Sequence, residues 1–256
     1  MYIKIAKMGY KKVFTYKLSL VLMFFSSIAS IFILQKFWFA LYGDDYSQYL
    51  YMANYAVISQ LLGIIYQIRS PNNFASKIRN GSISVELLRP WEYINALLFE
   101  DLGRIIANLV TSGFALLIVA KVLFDMQIPS VWNLLLFSFA ALFGFLLLFM
   151  IKMMVSMLSF WLIEASNFLI LINVVIQFLS GQFLPSWLVP DWLGKVMNVL
   201  PFVWMYEKPI SIYLGQGYVS EYILILLMQL LWIVILYLLL LWVWRVAVKK
   251  LCVQGG

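Results

Sequence analysis

The chain has 256 residues, of which 64% are hydrophobic and 11% charged, and its mean hydropathy is +0.95. Soluble domains carry about a quarter charged residues, so this composition excludes an ordinary soluble protein and indicates an integral membrane protein. Histidine is absent and cysteine occurs once, which excludes histidine-based catalysis, histidine-ligated zinc and an intramolecular disulfide. The formal charge of +7 is typical of basic residues retained on the cytoplasmic face and does not indicate nucleic-acid binding.

Six long apolar runs divide the chain. Each approaches the roughly 20 residues that a helix needs to cross a bilayer, so they predict six membrane-spanning helices. The runs are continuous and show no period-two alternation, which favours helices over a β-barrel. The predicted spans are residues 18–41, 52–68, 105–124, 132–151, 161–179 and 222–244. The sequence therefore predicts an all-α integral membrane fold in a single domain over residues 1–256.

Basic residues set the predicted orientation of these spans. If the N-terminus lies in the cytoplasm, all but four of the 18 lysines and arginines fall on the cytoplasmic side. The exceptions are Lys36, Lys121, Lys195 and Lys208. Because positively charged loops are retained inside, we expect a multi-pass protein of the cell membrane with both termini in the cytoplasm.

Residues 1–17 have the pattern of a basic amphipathic helix. The lysines fall on one helical face and the apolar side chains on another, as expected for a helix that lies in the membrane interface. These faces consist of Lys4, Lys7 and Lys11, and of Ile3, Ala6, Tyr10 and Val13. A signal peptide is the alternative, but the apolar run that follows continues to residue 41 without a polar region before a cleavage site.

Residues 69–104 form the one long polar interlude, which the predicted orientation places in the cytoplasm. Ser70 is a good N-cap and Gly81 supplies a left-handed residue, so a helix of about ten residues is expected between them. Such a helix is too short to be stable alone in water, and something must pack on it. Alternation over residues 83–88 predicts an extended connector, and Pro90 then begins the next helix.

Three interpretations of residues 69–104 stay open on physical grounds. The segment is a coupling element that docks on a cytoplasmic partner, or a site for anionic lipid head groups, or a capped connector with no further role. Lys77, Arg79 and Arg89 are the side chains that would bind lipid phosphates.

Residues 181–217 are the second unusual region, since they hold more than half of the chain's seven prolines. A short amphipathic helix is expected at residues 190–200. The tryptophans and tyrosines of the segment are of the type that settles at a bilayer interface. The segment is therefore predicted to form two short helices that dip into the outer leaflet, with an ordinary interfacial loop as the alternative.

The fifth predicted span carries a polar stripe. Ser166, Asn173, Gln177 and Ser180 fall near one helical face, and a polar stripe within lipid is normally turned inward. These four residues are the candidates for a substrate path. Hydrogen bonding between helices is an equally good explanation.

Two motifs and their order along the chain give a family resemblance. Residues 80–90 read NGSISVELLRP after the second span, and residues 180–185 read SGQFLP after the fifth. The second motif is followed by PDWL at residues 190–193 and LPF at residues 200–202. Together these patterns resemble the permease, or transmembrane, subunits of type-2 ABC exporters, and the likeness covers essentially the whole chain.

The resemblance implies a role for each part of the chain. In that family the N-terminal helix is a connector helix, the loop after span two carries a coupling helix that sits on a cytoplasmic ATPase subunit, and two permeases pair to form the path. The second permease would be identical or paralogous, and two ATPase copies are expected. The candidate ATPase contacts are Asn73, Lys77, Arg79, Glu86 and Arg89.

The chain itself has no GxxxxGK[ST] motif, so ATP and Mg²⁺ are expected on the partner ATPase and no cofactor on this chain. The exported substrate would be amphipathic or apolar, such as a drug, a peptide or a lipid-like molecule. An ion-coupled secondary transporter is the first alternative, although no acid is predicted deep in the membrane. A membrane-embedded enzyme and an assembly protein are further alternatives.

Overall fold

The computed structural model describes residues 1–15, 17–87, 92–124, 126–162 and 165–254. It is 82% helix, and its described residues contain no strand, which confirms the all-α fold class. The helices are α1 (Tyr2–Thr15), α2 (Lys17–Tyr42), α3 (Tyr46–Ile65), α4 (Ser70–Arg79), α5 (Ile83–Leu87), α6 (Tyr93–Asn108), α7 (Phe114–Phe124), α8 (Val131–Met157), α9 (Ala165–Leu179), α10 (Asp191–Val199), α11 (Glu207–Tyr213) and α12 (Val219–Gln254). A π segment, Leu109–Gly113, joins α6 to α7, and a 3₁₀ turn, Leu158–Phe160, extends α8.

Four helical stretches are long and apolar enough to cross a membrane. They contain the first, third, fourth and sixth predicted spans. The four are Lys17–Tyr42, Tyr93–Phe124, Val131–Phe160 and Val219–Lys250. The chain is a multi-pass membrane protein.

The second and fifth predicted spans correspond to weaker helices. α3 has 20 residues, but Gln48, Asn54 and Gln60 lower its hydropathy below that of the four spanning helices. Among the described residues, α9 has 15 residues, and its apolar part, Phe168–Leu179, is shorter than a typical span. A six-span layout therefore stays a prediction at these two helices.

α3 is buried within the protein rather than exposed along its length. Met52, Ile58 and Leu62 are fully buried. The buried side chain of Asn54 is satisfied on both sides, because its Nδ2 donates to the Leu50 carbonyl (2.8 Å) and its Oδ1 accepts from the amide of Gln127 (2.8 Å). The polar residues that weaken its hydropathy thus suit a helix that packs on other helices.

Asp45 begins α3 as its N-cap. Its Oδ1 accepts hydrogen bonds from the backbone amides of Ser47 (3.1 Å) and Gln48 (3.2 Å). The Ser47 hydroxyl and the Gln48 amide hold the pKa of this exposed carboxyl below its usual range. The turn between α2 and α3 is therefore closed by a conventional cap.

The prediction of an extended connector at residues 83–88 is wrong for the part that the structure describes, since α5 is helical over Ile83–Leu87. An extended chain would place Ile83 and Val85 on one face. Ile83 is instead fully buried, whereas Val85 is 61% exposed. Alternation over so short a segment fits both conformations, and burial of Ile83 selects the helix.

α6 begins at Tyr93, well before the predicted third span at residue 105. It runs through the π segment into α7 as one membrane-capable stretch, Tyr93–Phe124. The last part of the polar interlude is therefore the first part of a membrane helix. This continuity places the charged side chains of α6 beside α1 and α4.

Candidate coupling and transport site

The start of α4 is held by Asp101, which lies on α6. The Asp101 carboxylate accepts from the amide of Ser70 at Oδ2 (3.3 Å) and from the amide of Arg69 at Oδ1 (3.4 Å). The Ser70 hydroxyl does not cap the helix, since it donates to the carbonyl of Leu97 (3.3 Å). The prediction that Ser70 is the N-cap is therefore wrong: an acidic side chain from a neighbouring helix satisfies the free amides of α4.

Asp101 belongs to a chain of charges that reaches α1. Arg104 Nε lies 3.4 Å from Asp101 Oδ1, and Arg104 NH2 lies 2.5 Å from Glu100 Oε1. Lys12 of α1 completes the chain, with its Nζ 2.9 Å from the same Glu100 oxygen. Because Asp101 and Arg104 are buried, the contacts of Arg104 are less exposed to water than surface ion pairs, whereas the Lys12 contact is exposed.

The backbones of α1 and α6 meet at two glycines. A Cβ on Gly9 would lie 1.9 Å from the carbonyl oxygen of Glu100, and a Cβ on Gly103 would lie 1.8 Å from that of Ala6. Only glycine permits so close an approach. The rings of Tyr2 and Phe99 stack at 4.9 Å beside this contact. α1 is therefore fixed on α6 by backbone packing as well as by charge.

The buried face of α4 packs on the chain's own helices. Phe74 is fully buried, and its ring lies 5.8 Å from Tyr93, 6.0 Å from Phe160 and 6.1 Å from Trp244. Ile78 is 7% exposed on the same face. The support that a short helix needs thus comes from α6, the end of α8 and α12.

Gly81 ends α4 as predicted. Its φ of +75° lies in the left-handed region, and its amide donates to the carbonyl of Ile78 (3.1 Å). Beyond it, the side chain of Asn80 accepts from the amide and hydroxyl of Ser82. The turn places α5 beside α4.

The five candidate contacts differ in their surroundings. Asn73 is exposed on α4. Lys77 and Glu86 pair with each other, Nζ to Oε1 at 2.7 Å, and the Lys77 ammonium lies 5.6 Å from the Tyr93 ring centre. The side chain of Arg79 is not among those that the structure describes, and Arg89 lies outside the described residues.

A polar cavity of about 170 Å³ lies between α3, α8 and α9. Asn173 and Gln177, two of the four candidates on the fifth predicted span, line it. The other lining residues are Gly63, Tyr66, Gln67, Ile68, Leu148, Lys152, Ile176, Gln182 and Tyr206. Ser180 does not line the cavity and is fully buried, and the side chain of Ser166 is not described.

Residues 181–217 are tied to α3 through their backbone. The Tyr55 hydroxyl donates to the carbonyl of Gly181 (2.6 Å), and the Ser59 hydroxyl donates to that of Gln182 (2.5 Å). Gly181 has a φ of +75°, and a Cβ there would lie 2.7 Å from a carboxylate oxygen of Glu207. The segment contains two short helices, α10 and α11, and the first matches the helix expected at residues 190–200.

Residues 181–217 also extend between α8 and α12, away from the first residues of α12. Gln229 Nε2 donates to the carbonyls of Trp204 (2.7 Å) and Ala140 (2.9 Å). Gln229 lies ten residues after Val219, the first residue of α12, which is about 15 Å along the helix axis. Trp204 therefore sits well below the end of the helix bundle.

Sequence reasoning missed two buried acids, Asp101 and Glu207, which are each 1% exposed. Glu207 accepts from the amide (2.7 Å) and the hydroxyl (2.6 Å) of Ser186, and its Oε1 lies 3.5 Å from Lys208 Nζ. Both acids thus have structural partners. The proline-rich sequence around Glu207 has no periodicity that could have revealed its burial.

These features define a helical membrane component with a cluster of charged side chains where α1, α4 and α6 meet and a polar cavity between α3, α8 and α9. The chain belongs to the ABC-2 transporter family, since it matches the family described as ABC-2 family transporter protein over residues 20–255. Membership makes it a transport component and implies association with an ATPase subunit. No curated protein and no solved structure matches the chain.

Proposed function

We propose that the chain is the transmembrane subunit of an ATP-driven exporter, which forms half of the translocation path and couples to a separate ATPase subunit. Two ATPase copies would bind ATP and Mg²⁺, and a second permease, identical or paralogous, would supply the other half. In this proposal residues 1–17 are the connector helix and residues 69–104 carry the coupling helix.

The observation that carries this proposal is the attachment of both α1 and α4 to α6. Asp101 holds the start of α4, while Glu100 and the two glycine contacts hold α1. α6 continues as a membrane-capable helix. A force on α4 would therefore move α1 and the membrane helix together as a rigid body.

The proposed docking face is the exposed side of α4 and α5. Asn72, Asn73 and Ser76 are exposed there, together with Val85, an apolar side chain that is 61% exposed. Lys77 and Glu86 brace the two helices from behind this face. A small polar surface around one exposed apolar residue suits a partner protein better than a phosphate-binding surface does.

The proposed topology has both termini and α4 in the cytoplasm, and six spans that include α3 and α9. Residues 181–217 would then enter the outer leaflet from the opposite side. Support comes from the depth of Trp204 beside Gln229 and from the distribution of lysine and arginine. We also propose that the protein is located in the cell membrane.

The proposal is tested by purifying the chain with the ABC ATPase that accompanies it. Asn73→Arg and Val85→Asp each alter the exposed face without touching the buried side. Tyr218→Asp is the control, since it alters an exposed residue just before the start of α12, away from α4. We expect each docking-face variant to co-purify with about fivefold less ATPase than the unaltered chain. The control variant should co-purify with the same amount of ATPase as the unaltered chain. Full retention in both docking-face variants, with normal ATP-driven transport, would contradict the proposal.

A further inference from the structure

Lys152 is a cation that lines the polar cavity, where the described residues supply no counter-ion. Among the described residues no carboxylate oxygen lies within ion-pair distance of its ammonium, and the residues that line the cavity include no aspartate or glutamate. The charge of Asp101 attracts it from farther away, but that carboxylate already binds Arg104 and the start of α4. Lys152 is half-buried. A charge that is largely withdrawn from water is normally paired, so an unpaired one points to a missing anion.

The amides around Lys152 can also donate hydrogen bonds. Gln177 and Gln182 have side-chain amides without a hydrogen-bond partner among the described residues. Asn173 and Tyr66 are already engaged, since they donate to the carbonyls of Leu169 (2.7 Å) and Ala141 (2.7 Å). The Tyr206 hydroxyl, which also lines the cavity, has no hydrogen-bond partner among the described residues. One ammonium, two amides and one hydroxyl are therefore available, a donor set that suits phosphate or carboxylate oxygens.

The size of the cavity restricts what it can hold. Its volume of about 170 Å³ accommodates a phosphate-sized group or roughly five water molecules, and not a whole amphiphile. Gln67, which lines the cavity, also lines an open and mostly apolar groove with Leu18, Leu22 and Met23 of α2. The rest of that groove is formed by Thr15, Lys17, Ser19 and Ser26. A polar compartment for a charged head thus adjoins an apolar surface for a hydrocarbon tail.

We propose that this cavity binds the anionic head group, a phosphate or a carboxylate, of an amphipathic substrate. Lys152 supplies the positive charge, and Gln177 and Gln182 supply hydrogen-bond donors. That the bound molecule is the transported substrate rests on the proposed export function. It assigns that substrate to anionic amphiphiles rather than to neutral or cationic ones.

The test is equilibrium binding to the purified full-length chain in detergent, measured by microscale thermophoresis. The probes are oleoyl lysophosphatidic acid, oleoylglycerol with the same tail and no phosphate, and inorganic phosphate with no tail. We expect the phosphate-bearing lipid to bind about tenfold more tightly than oleoylglycerol. We expect inorganic phosphate to bind far more weakly than the lipid, because it lacks the apolar contact.

Variants assign the binding to Lys152. Lys152→Met should weaken binding of the phosphate-bearing lipid about tenfold and leave oleoylglycerol unchanged, whereas Lys152→Arg should retain most of the affinity. Gln177→Leu should weaken it by a smaller factor. Lys36→Met is the matched control, because it removes a lysine from α2 that lies over the ring of Phe32 and not in the cavity. Glu164 is an acid outside the described residues. Its replacement in Glu164→Gln should leave the affinity for the phosphate-bearing lipid unchanged or increase it.

Equal binding of lipid and oleoylglycerol, or unaltered binding by a folded Lys152→Met variant, would overturn the assignment. If inorganic phosphate bound as tightly as the lipid, the claim that the ligand is an amphiphile would be wrong. If Glu164→Gln abolished binding, the claim that the bound head group is an anion would be wrong. Since the assay needs no ATPase, Lys152-dependent binding by a chain that couples to no ATPase would contradict only the export function. A coupled exporter without such binding would contradict only this site.

Discussion

The carboxylate of Asp101 caps the helix that begins at Ser70, accepting its backbone amide at 3.3 Å. These residues lie on different helices, and the bond joins the polar interlude to a helix that continues into the membrane. Arg104 and Glu100 extend the connection to Lys12 on α1. The two elements that the family resemblance assigns to coupling are thus attached to one helix.

Asp101→Ala is expected to destabilise the protein strongly. It removes the cap of α4, worth about 1 kcal/mol, and leaves the buried Arg104 with one acidic partner instead of two, which costs further stability. The thermal midpoint in detergent should fall by several degrees, and coupling to ATP hydrolysis should fall with it. Asp45→Ala, which removes the exposed cap of α3, should have a clearly smaller effect on the midpoint and none on coupling. Equal effects would contradict the role given to Asp101.

Gly9→Ala and Gly103→Ala are expected to separate α1 from α6. Each new Cβ would meet a backbone carbonyl oxygen at less than 2 Å, a clash that only a shift of the helices can relieve. Gly63→Ala is a matched control, since its Cβ would meet only the end of the flexible Gln182 side chain, at 3.0 Å. Limited proteolysis should release α1 in the first two variants and not in the third. Protection of α1 in all three would show that the helices do not pack as described.

The Lys77–Glu86 pair is expected to brace α4 against α5 with modest energy. Both side chains are partly exposed, so a double-mutant cycle of Lys77→Met and Glu86→Gln should give a coupling of about 0.5 to 1 kcal/mol in unfolding free energy. The charge-reversed double variant, Lys77→Glu with Glu86→Lys, should recover part of the ATPase association that either single reversal loses. A coupling near zero would indicate that the pair does not hold the docking face in place.

Glu207→Gln is expected to lower stability and to leave transport by the folded molecules intact. The acid is fully engaged by Ser186 and Lys208, so its role is to hold residues 181–217 together. Glu221→Gln is the control for loss of a carboxylate, because this acid is exposed and accepts a hydrogen bond from the amide of Tyr218. Transport that stops in a folded Glu207→Gln protein, or that runs on a pH gradient without ATP, would favour the ion-coupled alternative.

Apolar periodicity and length were sufficient to predict the all-α fold and the four longest spans. Hydropathy does not mark α3 as a span, because a helix packed on protein tolerates polar residues such as Asn54. The described apolar part of α9 falls short in length instead. The end of α4 at Gly81 was predictable, since a left-handed glycine is a local signal. Its start was not, because the cap comes from Asp101, 31 residues away.

The candidate site was predictable only in part, because some of its residues come from elements that are distant in the sequence. Helical spacing put Asn173 and Gln177 on one face, and both line the cavity. Spacing gave no information on Lys152 and Gln182, which reach that cavity from α8 and from the segment after α9. Burial of Glu207 depends on the fold of a proline-rich segment, for which no sequence period exists.

The central claim is that the exposed face of α4 contacts the ATPase on the cytoplasmic side. Its most direct measurement is site-directed cross-linking in intact cells, in a background where the single cysteine, Cys252, is replaced by serine. Asn73→Cys should form a cross-link to the ATPase subunit and resist a membrane-impermeant thiol reagent, whereas Tyr218→Cys should react with the reagent and form no cross-link. Labelling of Asn73→Cys from outside, or a stable ATPase complex in which it forms no cross-link, would contradict the account.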